Sequence, residues 1–396
     1  MNKMASESDI MMNSTNSSVG MEEMPEDNQK VFTIVLYVLV GSVGILGNSM
    51  VCVVFSLVRS RRSQVNLFIL HQAVVDMCTS CLLIMFGITQ LYRDEIMKTS
   101  YEPLNASSPT TNSSDPTGDG ASQEYVKVAN ISLPLAEFMC RLWWGRVFLF
   151  SMFAISTFNL MSMAIERYMA IMHPFFYATK FKRRHTLIVI IMAWLFAPVL
   201  QYFPPIFQYD AMDDTHECGI QTDFSKTAQA AIGICLISWE FIMPSIVMGF
   251  SSIKIFRELR YRDSYLVKAT NYLVDKGKRT QQQSEPEHET MRANRNTTMV
   301  VIVIFVVYII CWAPNHFTFL GFNLGMELDF TGKWYHTTVL LAFVNSCINP
   351  FIYAIRLKTF QRGLVHICRL GCHPISSARF DSQETASRYR VNASVL

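Results

Sequence analysis

The sequence predicts an all-α membrane protein, a bundle of seven transmembrane helices with a short amphipathic helix on its cytosolic side. Three observations predict it. Of the 396 residues, 51% are hydrophobic and only 16% charged. A soluble domain is typically about 25% charged, so much of this chain is expected to meet lipid, and a soluble enzyme is the weaker reading. Seven apolar runs reach the ~20 residues that a helix needs to cross a ~30 Å hydrocarbon core. The segments between those runs alternate in charge.

The runs span residues 31–58, 65–91, 140–165, 187–203, 228–256, 297–320 and 334–355. Residues 1–30 are polar and acidic, with no basic start before an apolar core, so the first helix is expected to act as its own insertion signal. Lys and Arg minus Asp and Glu sum to −4, −4, −4 and −1 over 1–30, 91–137, 202–228 and 321–334. The alternating segments 59–63, 172–185, 254–298 and 355–396 sum to +3, +4, +4 and +5. Basic loops stay in the cytosol, which places the N-terminus outside and the C-terminus inside a multi-pass plasma-membrane protein. The Asn-x-Ser/Thr sequons at Asn13, Asn16, Asn105, Asn112 and Asn130 all fall on the outer side, as glycosylation requires. Chance accounts for any one of them more easily than for five on one side. Residues 1–30 thus read as an extracellular tail, 31–355 as the transmembrane domain, and 356–396 as an amphipathic helix and cytosolic tail. Within the domain, 93–136 ("LNASSPTTNSSDPTGDGAS") reads as a disordered outer loop and 263–296 as a flexible inner one.

The ten cysteines sort by depth. Six lie in helices, Cys368 and Cys372 lie in the tail, and Cys140 and Cys218 reach the oxidising outer face. That allows one extracellular disulfide, Cys140–Cys218, against the alternative of two free thiols. Near the C-terminus, Ile355, Phe360 and Leu364 can share one helical face with Arg356, Lys358 and Arg362 around it. Such a helix can lie on the inner leaflet, pinned by palmitate on Cys368 or Cys372; a plain polar tail is the alternative.

Short motifs then accumulate in a fixed order. They are "GILGNSMV" in the first helix, "ERY" (Glu166, Arg167, Tyr168) closing the third, Trp194 in the fourth, Pro244 in the fifth, "CWAP" in the sixth and "NSCINPFIY" in the seventh. Together they resemble the rhodopsin-like (class A) G-protein-coupled receptors, neuropeptide-receptor-like members among them. The resemblance implies a receptor, not an enzyme, whose partners are an extracellular ligand, a heterotrimeric G-protein, arrestin, a receptor kinase and the lipid bilayer, with no nucleic acid. It also implies roles. Glu166 holds Arg167 at rest, and release of the arginine opens a cleft for the G-protein; Trp312, Pro314, Asn349, Pro350 and Tyr353 are moving parts of the switch. Asp76 matches the family's sodium-binding carboxylate, with Ser156, Asn345 and Asn349 around it. The ion would be an allosteric ligand, with no other cofactor, and a hydrogen-bonded water cluster is the alternative.

The chain also departs from the pattern. The Cys140–Arg167 spacing is two residues longer than the family usually shows. Ser252 stands where a tyrosine usually holds the released arginine, Asn294 where some members carry an acid, Tyr308 in place of a phenylalanine, and His71-Gln72 in place of the commoner Asn-Leu.

Absences narrow the ligand. The outer half of the third helix, "RLWWGRVFLFSMFA", has no aspartate to pair with an amine, and the seventh helix has no lysine for a retinal Schiff base. The acidic outer loops favour a peptide; a small molecule or lipid is the alternative, and a constitutive or scaffolding receptor-fold protein is a further one. A transporter is disfavoured by the lack of paired halves with interrupted helices. The candidate ligand contacts are Glu240, Arg146, His316 and Asn315. A lone carboxylate in an apolar helix must find a partner or a ligand, so Glu240 either contacts the ligand or pairs internally with Arg146 or His316.

Overall fold

The computed structural model describes residues 26–57, 64–92, 99–103, 125–129, 133–210, 219–220, 225–275, 285–329 and 332–372. Seven of its helices are long and apolar enough to cross a membrane. The first runs Glu26–Leu57 and the second Gln64–Leu91. The third is assembled from Leu133–Phe138, a π-helical turn Met139–Trp144, and Val147–Met172. The fourth is Arg183–Gln208; the fifth joins Lys226–Ile237, a π turn Ser238–Ile242, and Met243–Asp275. Glu285–Asn323 and Lys333–Arg356 are the sixth and seventh.

Packing follows from where each helix finds partners. The third and seventh are the most buried of the seven, and the fourth is the least buried and lies at the periphery. Large apolar side chains such as Leu46, Val199 and Ile246 point outward, as they must when the solvent is lipid. Small residues let helices approach closely. A Cβ on Gly44 would lie 2.2 Å from the Ser80 hydroxyl and 3.0 Å from the Cys347 sulfur, so the first, second and seventh helices meet at a point that tolerates no side chain.

Two loop expectations are corrected. Within 93–136, Thr99–Pro103 pairs antiparallel with Tyr125–Ala129, from Thr99 opposite Ala129 to Pro103 opposite Tyr125. The β-branched alternation of "YVKVA" supplies the second strand. Within 263–296, the fifth helix continues to Asp275 and the sixth already starts at Glu285. Hydropathy reports contact with lipid, whereas a helix that leaves the membrane is held by backbone bonds and spaced charges, as in the Arg262–Glu258 pair at 2.8 Å. Between the third and fourth helices, Pro174 opens a short helix, Pro174–Lys180, at a position where its missing N–H costs nothing.

After the seventh helix, Leu357 turns the chain with extended backbone (φ −98°, ψ 101°) into the amphipathic helix Lys358–Cys372. Phe360 is buried against Phe55 and Tyr353, at ring separations of 6.2 and 6.4 Å. Ile355 does not join this face: it ends the seventh helix at 71% exposure, because the break at Leu357 separates the two helical registers.

Candidate functional site

At the C-terminal end of the third helix, Arg167 is held by its neighbour. Its Nε and one terminal nitrogen each donate to a Glu166 carboxylate oxygen at 2.5 Å, and both residues are buried. The Tyr177 hydroxyl, from the short inner helix, donates to the same carboxylate. Burial first, and then the Glu166 charge, push the Tyr177 pKa up, so this hydroxyl stays a donor. Tyr168 points instead toward Phe250 and His173, 5.9 and 6.0 Å away. Ser252 and Tyr353 are buried, and neither hydroxyl has a hydrogen-bond partner among the described residues. The side chain of Asn294 lies outside the described residues.

One level up is a layer of buried polar groups. Asp76, Ser156 and Asn349 come together as expected: Asn349 Nδ2 donates to one Asp76 oxygen at 2.8 Å, and the Ser156 hydroxyl lies 3.4 Å from the other. Asn345 is buried at the same level, but its side-chain oxygen has no hydrogen-bond partner among the described residues. Asn48 bonds the carbonyls of Gly44 and Ser346 at 2.9 and 3.0 Å, tying the first helix to the seventh next to the Pro350 hinge. An unexpected member is Gln72. Its amide nitrogen is 3.0 and 3.1 Å from the two Asp76 oxygens and 2.5 Å from the Ser156 hydroxyl, and its oxygen accepts from Asn159 at 2.7 Å. His71 joins from the preceding position, facing Asn159 at 2.8 Å and accepting from the Trp194 indole at 2.8 Å. The signal in the sequence was the departure itself: two polar residues where one is commoner.

Above this layer sits Trp312, one turn below the Asn315-His316 pair and two residues before Pro314 in the sixth helix. Its ring meets Phe153 of the third helix edge-on at 4.7 Å and His316 at 5.3 Å. Tyr308 has a definite purpose. Pro244 has no N–H to offer the Glu240 carbonyl four residues earlier, and the Tyr308 hydroxyl donates to that carbonyl at 2.8 Å. A phenylalanine would remove this donor, so the tyrosine matches the irregular fifth helix.

A narrow cleft beside the head of the third helix is lined by Tyr37, Phe86, Phe150, Phe153 and Phe343. Arg146 enters it. The residue adopts a left-handed backbone (φ 59°, ψ 24°) directly after the π turn, and these two irregularities take up the longer Cys140–Arg167 spacing. Its guanidinium lies 5.0 Å from the Phe86 ring centre and 5.1 Å from that of Tyr335, and it donates to the Tyr335 hydroxyl. Asn315 lines the same cleft, 3.4 Å from the Thr338 hydroxyl. Neither internal partner expected for Glu240 is the one found. The Gln201 amide of the fourth helix donates to its carboxylate, and His316 packs on Phe241 at 5.2 Å. Glu240 sits in the π turn, whose extra residue rotates it away from Arg146 toward the fourth helix.

Cys140 is buried and disulfide-bonded at the head of the third helix, while Cys218 lies outside the described residues. So do the five sequons at Asn13, Asn16, Asn105, Asn112 and Asn130. Cys368 is exposed on the amphipathic helix, and Cys372 closes that helix with its side chain outside the described set. No cluster of His, Cys, Asp and Glu suited to a metal occurs among the described residues.

Comparison with known proteins bears on this arrangement. Residues 124–353 match the family described as 7 transmembrane receptor (rhodopsin family). Galanin receptor 2a of Danio rerio is 26% identical over 55% of this chain, which spans about half (54%) of that receptor's length. Human galanin receptor type 2 is 25% identical over 86% of this chain and 73% of its own. The Danio rerio melatonin receptor type 1B-B is 26% identical over 54% of this chain and 56% of its own.

Proposed function

The chain belongs to the rhodopsin family of seven-transmembrane receptors, and on that premise we propose that it is a peptide receptor with its N-terminus outside the plasma membrane. The ligand, on this reading, seats one end against Arg146 and drives nucleotide exchange on a heterotrimeric G-protein. The observation that carries it is Arg146, a guanidinium set against two aromatic rings in the narrow cleft beside the head of the third helix. Such a site suits an aromatic or aliphatic side chain beside a carbonyl or carboxylate acceptor, the two chemistries that a peptide end combines. The galanin receptors among its relatives support a peptide.

The reading moves the ligand's anchor from Glu240 to Arg146. Glu240 already has Gln201, whereas the aromatic cleft faces Trp312 through Phe153. A ligand pressing on that contact bears on the sixth helix at its Pro314 hinge. Release of Arg167 from Glu166 and Tyr177 is the output. Arrestin and a receptor kinase follow as later partners of the same opened face. The Cys140–Cys218 bridge, the outer glycans and palmitate on Cys368 or Cys372 complete the proposal as fixtures of the outer and inner surfaces.

The test is a peptide-library screen on cells expressing the chain, read by calcium and cyclic AMP together. A peptide that signals through this receptor and loses potency in Arg146→Gln supports the reading. Signalling by small molecules alone would replace the peptide with the smaller ligand that the narrow cleft also admits.

A further inference from the structure

The hydrogen bonds around Asp76 form a chain with a single direction. Trp194 Nε1 can only donate, and it gives its proton to His71 Nε2 at 2.8 Å. That leaves Nδ1 as the protonated nitrogen of a neutral His71, which donates to Asn159 Oδ1 at 2.8 Å. Asn159 Nδ2 then donates to Gln72 Oε1 at 2.7 Å, and Gln72 Nε2 donates to Asp76. The chain starts at a group that only donates and ends at a carboxylate that only accepts, so no amide in it can be reversed without placing two donors or two acceptors face to face.

That direction decides what sits beside Asp76. Gln72 Nε2 has three oxygens around it, both carboxylate oxygens at 3.0 and 3.1 Å and the Ser156 hydroxyl at 2.5 Å, the same atoms expected to hold sodium. Asn349 turns its nitrogen, not its oxygen, toward the carboxylate at 2.8 Å. Asp76 and Ser156 do not fit a cation, because N–H donors already face their oxygens; the side-chain oxygens of Asn345 and Asn349, which have no hydrogen-bond partner among the described residues, are left as the only acceptors of the expected set not so engaged. Admitting one would require Gln72, fully buried, to withdraw and break its bonds to Asp76, Ser156 and Asn159 together.

We propose that Gln72 is a built-in neutral occupant of the position a sodium ion would take beside Asp76, so that this receptor's conformational equilibrium does not respond to sodium. Gln72, fixed by His71 and Asn159, supplies the donors that would otherwise come from an ion and its waters. The inference rests on the helical bundle alone and not on the identity of the ligand.

The test is thermal unfolding of the purified full-length receptor in isotonic sodium chloride against isotonic choline chloride, with no agonist and no G-protein. Wild type is expected to melt at the same temperature in both. Gln72→Leu, which removes the amide, is expected to gain a sodium-dependent rise of about 2–4 °C, as a ligand bound only by the folded state produces. The double variant Gln72→Leu/Asp76→Asn is expected to lose that rise. A sodium-dependent rise in wild type that Asp76→Asn abolishes would overturn the proposal, and that comparison stands even if Gln72→Leu does not fold. A Gln72→Leu protein that folds and ignores sodium would show that the glutamine is not what excludes the ion.

Discussion

The Arg146 cleft and the Asp76 layer lie within one bundle and solve opposite problems. In the layer, Asp76 and the amides and hydroxyl facing it are joined by an ordered set of hydrogen bonds linking the second, third, fourth and seventh helices. In the cleft, one permanent cation lies between the Phe86 and Tyr335 rings and donates to the Tyr335 hydroxyl. Both Asp76 oxygens face donors, although the side-chain oxygens of Asn345 and Asn349 have no hydrogen-bond partner among the described residues, and a directed set of this kind favours one arrangement of helices, whereas a cation beside aromatic rings in a cleft is suited to recognition. On the proposed reading the difference separates structure from recognition: the layer holds the bundle, and the cleft is where a ligand changes it.

The largest effect is expected at the cleft. Arg146→Gln keeps a polar side chain but removes the charge, and agonist potency should fall by about 10- to 100-fold, the worth of a hydrogen bond to a charged group. Unchanged potency would mean that the ligand does not reach the cleft floor. Glu240→Gln should cost less than Arg146→Gln, because Gln201 and not the ligand faces that carboxylate. Replacing a cationic group on the ligand should then cost the same in wild type and in the Glu240 variant, since sites that do not touch add. Non-additive losses would return the anchor to Glu240.

At the Glu166–Arg167 end of the bundle the effect changes sign. Glu166→Gln weakens the hold on Arg167 and should raise agonist-independent nucleotide exchange by about tenfold, equivalent to ~1.4 kcal/mol. Tyr177→Phe removes one donor to that carboxylate and should raise exchange by a smaller factor, about two- to fivefold for a bond worth ~0.5–1 kcal/mol. Equal basal exchange in all three proteins would deny that Glu166 restrains Arg167. Cys218→Ala should lower surface level or agonist affinity if Cys218 is the partner of disulfide-bonded Cys140, given the ~2–4 kcal/mol that a bridge commonly contributes. The smallest effect belongs to Trp194→Phe, which keeps an aromatic ring, though a smaller one, and removes the first donor of the Asp76 chain. A fall in melting temperature of about 2–4 °C, with agonist potency unchanged, would mark the layer as structural.

Seven spans, the switch motifs and the polar layer were legible in the sequence because lipid leaves a helix few ways to be polar. Asp76 in an apolar run had to be buried among partners, and Glu166-Arg167 at the end of one had to lie at the membrane edge. The identity of each partner was not legible. Glu240 could face Arg146, His316 or Gln201 depending on the rotation of the fifth helix, and a π turn, which leaves no mark in composition, chose Gln201. The left-handed Arg146 is likewise a product of the assembled bundle. Helices that run on past the lipid to Asp275 and back from Glu285 escaped detection because hydropathy ends where water begins. Tyr308 and His71-Gln72 were visible as departures, and only the three-dimensional arrangement supplied their reasons.

The most direct test of the receptor account is nucleotide exchange on G-protein in membranes carrying this chain, measured with and without an active peptide from the library, in wild type and in Arg146→Gln. The account predicts stimulation in wild type and stimulation in the variant only at about 10- to 100-fold higher peptide concentration. Stimulation at the same peptide concentration in both proteins, or exchange no greater than in membranes lacking the chain whatever is added, would contradict it.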